Sequence, residues 1–361
     1  MDLWFTAEVT NALEFSWFAA LCDDDTTDLA DDRARLLSSY DHCKSIVAEA
    51  ARQGFDAILL PSGYQLGIDS TAFAAAVARD VPGIDLLLAV RCGELWPPQL
   101  VRQLATVDQL SGGRLRVNII SSDLPGMVES GAVRYGRTAT TMATLNAGLT
   151  GHDLAVNGEP LSAPRIAATV GRRLPLYFGG LSEEARAVAA EFADVYLMWP
   201  DTEAEVANIV GDLSRRADAH GRTLTFGYRV HVVVRETERA ARTAAAALVA
   251  GLDDAQGTAI RQRSLDATSR GVARQGELRD HADGDGYVEP NLWTGIGRAR
   301  SGCGAAIVGT PEQVAEKLQR YVDLGISSFI LSGYPHEEEC QRFGELVLPK
   351  FAHRGLQFPT D

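Results

Sequence analysis

Short apolar runs alternate along the chain with longer segments in which apolar residues recur at helical spacing. The apolar runs are predicted strands, and their continuous hydrophobicity is typical of parallel strands that are buried on both faces. Helices are predicted where the period is helical and where glycine or proline marks an end. The predicted strands are 3–7, 57–60, 85–90, 115–120, 174–178, 194–199, 226–234 and 328–332. The predicted helices are 38–53, 70–79, 98–110, 138–149, 182–192, 203–220, 236–251, 311–324 and 337–347.

Eight strands that alternate with helices predict a closed (β/α)8 TIM barrel. A doubly wound sheet is the alternative, but no GxGxxG follows the first predicted strand, so a dinucleotide-binding fold lacks support. A polar segment at 253–290 interrupts the alternation before a short strand at 305–308, and such an insertion is predicted to be a functional lid or partly disordered. No repeat or linker divides the chain, which predicts one domain over 1–361.

Composition and charge exclude several classes of partner and site. The net charge of -14 disfavours nucleic acid and anionic membranes. The five cysteines are scattered without a CxxC pair, so neither a disulfide framework nor a zinc site is indicated. Neither a signal peptide nor a long apolar run is found, which predicts a cytoplasmic protein without a membrane span. The acidic run from Asp23 to Asp32 is predicted to be a solvated loop, because its carboxylates are contiguous.

The predicted strand at 226–234 carries a basic pair. Residues two apart in a strand face the same side, so Arg229 and His231 project together. Two interpretations are open: an edge strand with a solvated face and a salt bridge, or a cation-lined pocket for an anion or a developing oxyanion. Catalytic groups of a barrel lie at the carboxyl ends of its strands. Other candidates at such ends are Asn118, Ser121, Ser122, Trp199, Tyr334 and His336.

A glycine-rich turn at 179–182 joins a predicted strand to a predicted helix. Ser182 is a favourable helix N-cap, and the free backbone N–H groups beyond it would suit a phosphate. No GxSxG motif and no pair of carboxylates at strand ends is found, which disfavours a hydrolase. This combination suggests a phosphorylated cofactor that carries the chemistry while the protein orients it.

Several segments together resemble the bacterial luciferase-like flavin-dependent monooxygenases, most closely the alkanesulfonate monooxygenase group. They keep the order found in that group from about residue 100 to 350. The segments include QLATVDQLSGGRLRVNIISSD (103–123), RLPLYFGGLSEEA (173–185), FGYRVHVVVRE (226–236), NLWTGIGRARSG (291–302) and SGYPH (332–336).

The resemblance implies a TIM barrel whose insertion, about 253–300, is an active-site lid. It implies FMN that arrives as FMNH2 from a separate NAD(P)H-dependent FMN reductase. It also implies O2 addition at flavin C4a and transfer of one oxygen atom to the substrate, after which an alkanesulfonate loses sulfite and becomes an aldehyde. A homo-oligomer, either a dimer or a tetramer, is expected on the same ground.

The resemblance also implies roles for individual residues. Those implied to contact the flavin ring or its phosphate are Asn118, Ser121, Tyr135, Gly180 and Ser182. Those implied to lie beside the flavin and a substrate sulfonate, as the catalytic set, are Arg229, His231, Arg300 and Tyr334. Trp199 is implied to line the substrate pocket.

Three pocket loops depart from the alkanesulfonate group. Leu66 stands where that group has a cysteine, Thr10 and Asn11 lie where it has a histidine, and Glu94 adds a carboxylate after the third strand. We therefore predict oxygenation of a small anionic substrate, with an alkanesulfonate favoured. The same chemistry on a different specialised-metabolism substrate is the alternative, and a deazaflavin-dependent oxidoreductase is a further one. A non-catalytic flavoprotein would be expected to lose the lid and the basic cluster.

Overall fold

The computed structural model describes residues 12–63, 67–156, 159–160, 171–253, 255, 257–258, 269–300 and 302–358. Within these ranges, eight parallel strands close into a barrel. They are β1 (Glu14–Phe18), β2 (Ala57–Leu60), β3 (Asp85–Arg91), β4 (Leu115–Ile120), β5 (Leu176–Phe178), β6 (Val195–Met198), β7 (Thr225–Val234) and β8 (Ile326–Ser332). Closure follows because β8 pairs with both β1 and β7, and β7 pairs with β6. The predicted (β/α)8 barrel is confirmed.

Most helices lie against the outside of the barrel, and one, Arg270–Asp280, belongs to the insertion between β7 and β8. The helices are Tyr40–Gln53, Ser70–Asp80, Pro97–Ser111, Gly131–Leu149, Glu183–Phe192, Glu203–Ala219, Glu238–Ala247, Arg270–Asp280, Pro311–Asp323 and His336–Leu346. Many begin at a serine or threonine whose hydroxyl accepts a backbone hydrogen bond, as Thr202 does from the Glu205 N–H at 3.3 Å. The main apolar core lies between the strands and these helices. No helix in the described ranges is both long and apolar enough to cross a membrane.

The first barrel strand differs from the prediction. Glu14–Phe18 occupies that position, whereas the predicted strand at 3–7 lies outside the described residues. All of β1 is buried, including Glu14, whose charge interrupts the apolar run that would mark a buried strand. Glu14 is accommodated because it pairs with Arg116 and accepts a hydrogen bond of 2.8 Å from the Tyr177 hydroxyl.

A second apolar cluster fills the barrel interior. Its buried members are Phe18, Leu59, Leu87, Tyr177, Val195, Ile330 and Leu356. Leu356 comes from the chain that follows the last helix, and its backbone N–H donates to Glu14 Oε2 at 3.5 Å. Because Glu14 begins β1, this contact covers the amino-terminal end of the barrel and leaves the carboxyl ends of the strands for a ligand.

The chain between β7 and β8 contains more than one crossover helix. A short strand, Ala306–Gly309, adds to the outer side of β7, and a hairpin pairs with it in antiparallel fashion. The hairpin strands are Tyr287–Glu289 and Leu292–Trp293, followed by a 3₁₀ turn at Gly295–Arg298. The described part of the predicted lid therefore contains a helix, Arg270–Asp280, and a hairpin, although its sequence shows little apolar periodicity.

Candidate active site

The basic pair of β7 lies inside the barrel. Arg229 is 5% exposed and His231 is 1% exposed. They lie two residues apart in β7, opposite Ile330 and Ser332 of β8, so their predicted shared face is confirmed. The solvated-edge interpretation is wrong, because β7 pairs with both β6 and β8. The Arg229 guanidinium carbon lies 4.6 Å from the ring centroid of Phe18 and one of its N–H groups donates to the Val230 carbonyl at 3.1 Å. Among the described residues Arg229 forms no ion pair.

The other two predicted catalytic residues lie beside this pair. Ser332 Oγ is 2.6 Å from His231 Nδ1, and the Tyr334 ring stacks on the imidazole with centroids 5.5 Å apart. The Arg300 guanidinium carbon lies 5.8 Å from the Tyr334 centroid, and its Nη2 donates to Asp24 Oδ2 at 3.1 Å. We call Arg229, His231, Arg300 and Tyr334 the basic cluster. It lies at the carboxyl ends of β7 and β8.

Burial sets the protonation of the basic cluster. Burial, together with the charges of Arg229 and Arg300, holds the pKa of His231 well below its usual value, so the imidazole is neutral at neutral pH. Burial also raises the pKa of Tyr334, which keeps the phenol protonated. Burial lowers the pKa of Arg229, but a guanidinium keeps its proton in proteins. The cluster therefore presents two cations, one neutral imidazole and one phenol.

The acidic run that follows β1 is not the solvated loop that was predicted. Asp25 is fully buried; its Oδ1 accepts from the backbone N–H of His336 and lies 3.0 Å from His336 Nδ1. Its Oδ2 lies 3.0 Å from His42 Nε2. Burial raises the pKa of Asp25, but the hydrogen bonds from His336 bring it below its usual value. The prediction failed because the first strand was placed too early; β1 puts Asp24 and Asp25 at a carboxyl end.

A cavity of about 260 Å³ lies at the carboxyl ends of β4, β5 and β6. All five predicted cofactor residues and the predicted pocket tryptophan line it: Asn118, Ser121, Tyr135, Gly180, Ser182 and Trp199. Further lining residues that we did not predict are Arg134, Asp201, Ser269, Arg270 and Gln275. The basic cluster does not line this cavity but adjoins it, as the contacts of Trp199 show.

One end of the cavity is the amino terminus of the helix Glu183–Phe192. The Ser182 hydroxyl caps this helix by accepting from the Ala185 N–H at 3.2 Å. Gly180 brings the backbone close to the helix: a Cβ there would lie 2.7 Å from the Ala185 Cβ and 3.5 Å from the Tyr135 hydroxyl. A helix amino terminus attracts anions through its backbone N–H groups and its dipole, so this end of the cavity suits a phosphate.

The lid and the residues after it cover Trp199 on two sides. A Cβ on Gly271 would lie 3.0 Å from Trp199 Cζ3, and one on Gly302 would lie 3.3 Å from Cζ2, so glycine lets the backbone approach the indole. The next residue, Cys303, places its Sγ 3.4 Å from the Arg229 carbonyl oxygen. Residues 302 and 303 thus reach from the cavity wall to the basic cluster, which makes the two features neighbours.

Polar contacts fasten the lid to the loop after β6. Arg274 binds both carboxylate oxygens of Asp201, at 2.7 Å from Nε and 2.8 Å from Nη2. The Gln275 side chain donates to the Pro200 carbonyl at 2.8 Å and accepts from the Gly304 N–H at 3.1 Å. These lid residues were missed because nothing in the polar, weakly periodic sequence of the lid distinguishes them from solvated side chains.

Of the four remaining predicted pocket residues, the structure describes one, Glu94. Thr10, Asn11 and Leu66 lie outside the described residues. Glu94 lies on an exposed turn after β3, where its carboxylate is 3.4 Å from Arg91 Nε. Arg91, a buried residue at the end of β3, was not predicted, although a cation in that position was a usable signal.

Comparisons with known proteins agree with this geometry. The family model described as "Luciferase-like monooxygenase" matches residues 13–328. The chain is 56% identical over 354 residues to a sulfoquinovose monooxygenase of Novosphingobium aromaticivorans, covering 95% of this chain and 98% of that protein. It is 46% identical over 351 residues to a sulfoquinovose monooxygenase of Agrobacterium fabrum, covering 96% and 91%.

Among solved structures, the EDTA monooxygenase of Chelativorans sp. BNC1 has a TM-score of 0.74 at 18% identity, covering 94% of this chain and 93% of that one. At that identity the likeness shows the fold alone. The family model covers most of the barrel, and the two curated relatives cover 95% and 96% of this chain. The chain therefore belongs to the luciferase-like monooxygenase family and is a flavin-dependent monooxygenase.

Proposed function

We propose that this protein uses FMNH2 and O2 to remove the sulfonate group from sulfoquinovose as sulfite, leaving an aldehyde. Sulfoquinovose is a hexose that carries a sulfonate on carbon 6, so it is both an organosulfonate and a sugar. The names of the two curated relatives support this choice of substrate over a simple alkanesulfonate. The predicted alkanesulfonate chemistry is kept, with a sugar sulfonate as the substrate.

The observation that carries the proposal is the buried, unpaired charge of Arg229. At 5% exposure it has no carboxylate partner among the described residues, and its guanidinium rests on the face of Phe18. Burying an unpaired charge is unfavourable, so the site is preorganised for an anionic ligand. A guanidinium presents several donors in one plane, which matches the oxygen atoms of a sulfonate. Arg300 supplies a second guanidinium to the same cluster.

The cavity beside the basic cluster fits FMN. Ser182 and Tyr135 lie at the helix amino terminus that would hold the phosphate, while Asn118 and Trp199 line the walls that would hold the flat ring. Bound as FMNH2, the cofactor supplies the electrons with which O2 is activated. The overall change is balanced: one oxygen atom enters the carbon that bore the sulfonate, the carbon–sulfur bond breaks to give sulfite, and the second oxygen atom leaves as water.

The chain's own residues then have distinct tasks. Arg229 and Arg300 hold the sulfonate next to the cavity, and the neutral His231 and the Tyr334 phenol are available for hydrogen bonds at the reacting carbon. The lid excludes water while Arg274 holds it against Asp201. A separate NAD(P)H-dependent FMN reductase is the proposed source of FMNH2, and a dimer or tetramer is the proposed assembly.

A sulfite-release assay tests the proposal. The protein is supplied with FMN, NADH and a flavin reductase, and sulfite is measured with sulfoquinovose and with a series of alkanesulfonates. We expect sulfite to form fastest with sulfoquinovose and to be lost in Arg229→Met, which keeps side-chain volume but removes the charge. Sulfite from none of the sulfonates, with reduced FMN consumed only to form peroxide, would contradict the proposed substrate class.

A further inference from the structure

Asp24 places a carboxylate beside an anion-binding cluster, where its charge opposes an anionic ligand. Its side chain is 13% exposed, and its Oδ2 accepts from Arg300 at 3.1 Å. Its Oδ1 is buried with no hydrogen-bond partner among the described residues. An ionised carboxylate only accepts hydrogen bonds, and a sulfonate has no hydrogen to donate, so the sulfonate cannot satisfy Oδ1. The ion pair with Arg300 explains one oxygen of Asp24 and leaves the other without a role.

Three further atoms around Asp24 and Arg300 are buried without a partner in the described part of the chain. They are the Tyr334 hydroxyl, His231 Nε2 and His336 Nε2. His336 belongs to this group because its ring lies edge-on to Tyr334, with centroids 4.9 Å apart. All three side chains are at most 4% exposed. The oxygens of a sulfonate can accept from the Tyr334 hydroxyl, but neither they nor an alkyl chain can donate to an imidazole nitrogen or to Asp24 Oδ1. Hydroxyl groups both donate and accept, so they can satisfy all of these atoms.

We propose that Asp24 is a specificity-determining residue whose Oδ1 accepts a hydrogen bond from a hydroxyl group on the carbon chain of the sulfonate substrate. The inference rests on the proposed function, because it assigns the recognition of the sugar part of that substrate. A site that is built to bind a hydroxyl rejects an analogue without it, since its own buried polar atom then stays unpaired. Asp24 thus turns an anion-binding cluster into one that prefers polyhydroxylated sulfonates over alkanesulfonates.

The test compares two ligands that share a six-carbon chain and a sulfonate but differ in hydroxyl groups: sulfoquinovose and hexane-1-sulfonate. Binding to the wild type, Asp24→Ala and Asp24→Asn is measured by calorimetry, and kcat and KM for sulfite release are measured separately. In Asp24→Ala we expect affinity for sulfoquinovose to fall about 10- to 100-fold, as for a lost hydrogen bond to a charged group. Affinity for hexane-1-sulfonate should stay the same or rise, and binding should become measurable if the wild type shows none.

Two controls separate this role from others. Asp31→Asn removes an exposed carboxylate of the same loop, which pairs with Arg33 in the described part of the chain, and it should change neither affinity. Asp24→Asn keeps the shape and one oxygen acceptor, so it should retain part of the preference for sulfoquinovose and serves as the test variant if Asp24→Ala does not fold.

Equal losses of affinity for both ligands in Asp24→Ala would overturn the inference, and would mean that Asp24 acts only by positioning Arg300. Unchanged affinity for sulfoquinovose would overturn it as well. A failure of the proposed function would look different, because the wild type itself would then release no sulfite from sulfoquinovose.

Discussion

Removing Arg274, which lines neither the cavity nor the basic cluster, should release the lid. The Asp201 side chain is 4% exposed, and Arg274 holds both of its oxygens at 2.7 and 2.8 Å. Breaking a buried ion pair by deleting one partner costs about 3–5 kcal/mol. The Arg274 side chain is 29% exposed, and Asp201 keeps a hydrogen bond from the Thr202 N–H. We therefore expect the substitution to destabilise the closed lid by about 2–3 kcal/mol. That raises the open population of the lid by roughly 30- to 160-fold.

Two assays follow the opening in Arg274→Ala. Limited proteolysis should cut residues 269–300 faster, and turnover should produce more peroxide for each sulfite because water reaches the cavity more often. The control is Arg215→Ala, which removes a 74% exposed guanidinium 3.6 Å from Asp212 and should behave like the wild type. Unchanged proteolysis and unchanged coupling in Arg274→Ala would refute the idea that this ion pair keeps the lid closed.

Three further predictions concern the site and its supports. Arg229→Met should lower kcat/KM by roughly 100-fold or more while leaving the thermal midpoint unchanged or higher, because it removes a buried charge that has no carboxylate partner among the residues described; a large loss of stability would contradict this. Asp25→Asn should destabilise the fold at neutral pH. Because His336 lowers the folded-state pKa of Asp25, the stabilisation exists above the unfolded-state pKa and disappears as pH falls through the folded-state value. Urea titrations should therefore show the variant and the wild type converging toward acidic pH, and a constant difference would exclude the mechanism. Gly271→Val should displace the lid from Trp199 and weaken FMN binding, measured by fluorescence, whereas Gly284→Val, at a position with open space around it, should not.

The barrel was predictable because seven of its strands are largely apolar, which is what burial on both faces requires, although β4 carries Arg116 and β7 carries Arg229. β1 was missed for a physical reason: its first residue, Glu14, is charged, and its burial is made tolerable by partners distant in sequence, which are Arg116, Tyr177, Ser328 and Leu356. Because the first barrel strand was predicted too early in the sequence, Asp24 was assigned to a solvated loop and not to the segment that follows a strand end. The alternation of Arg229 and His231, by contrast, needs no knowledge of distant residues, and their shared face was correctly predicted.

The helix start at Ser182 was predictable from local chemistry, because an N-cap is encoded by a few adjacent residues. The insertion that forms the predicted lid was also predicted, but its contacts were not. Arg274 and Gln275 are ordinary polar residues until the fold brings them to Asp201 and Pro200, and sequence periodicity cannot reveal such a contact.

A single turnover tests whether the cavity and the basic cluster act together on one sulfonate. The protein is loaded anaerobically with FMNH2 and sulfoquinovose and is then mixed with O2. We expect nearly one sulfite for each bound FMNH2 that is oxidised, and little sulfite when Arg229→Met replaces the wild type. Complete oxidation of FMNH2 by the wild type, with peroxide formed and no sulfite, would show that the cavity and the cluster do not act together on a sulfonate.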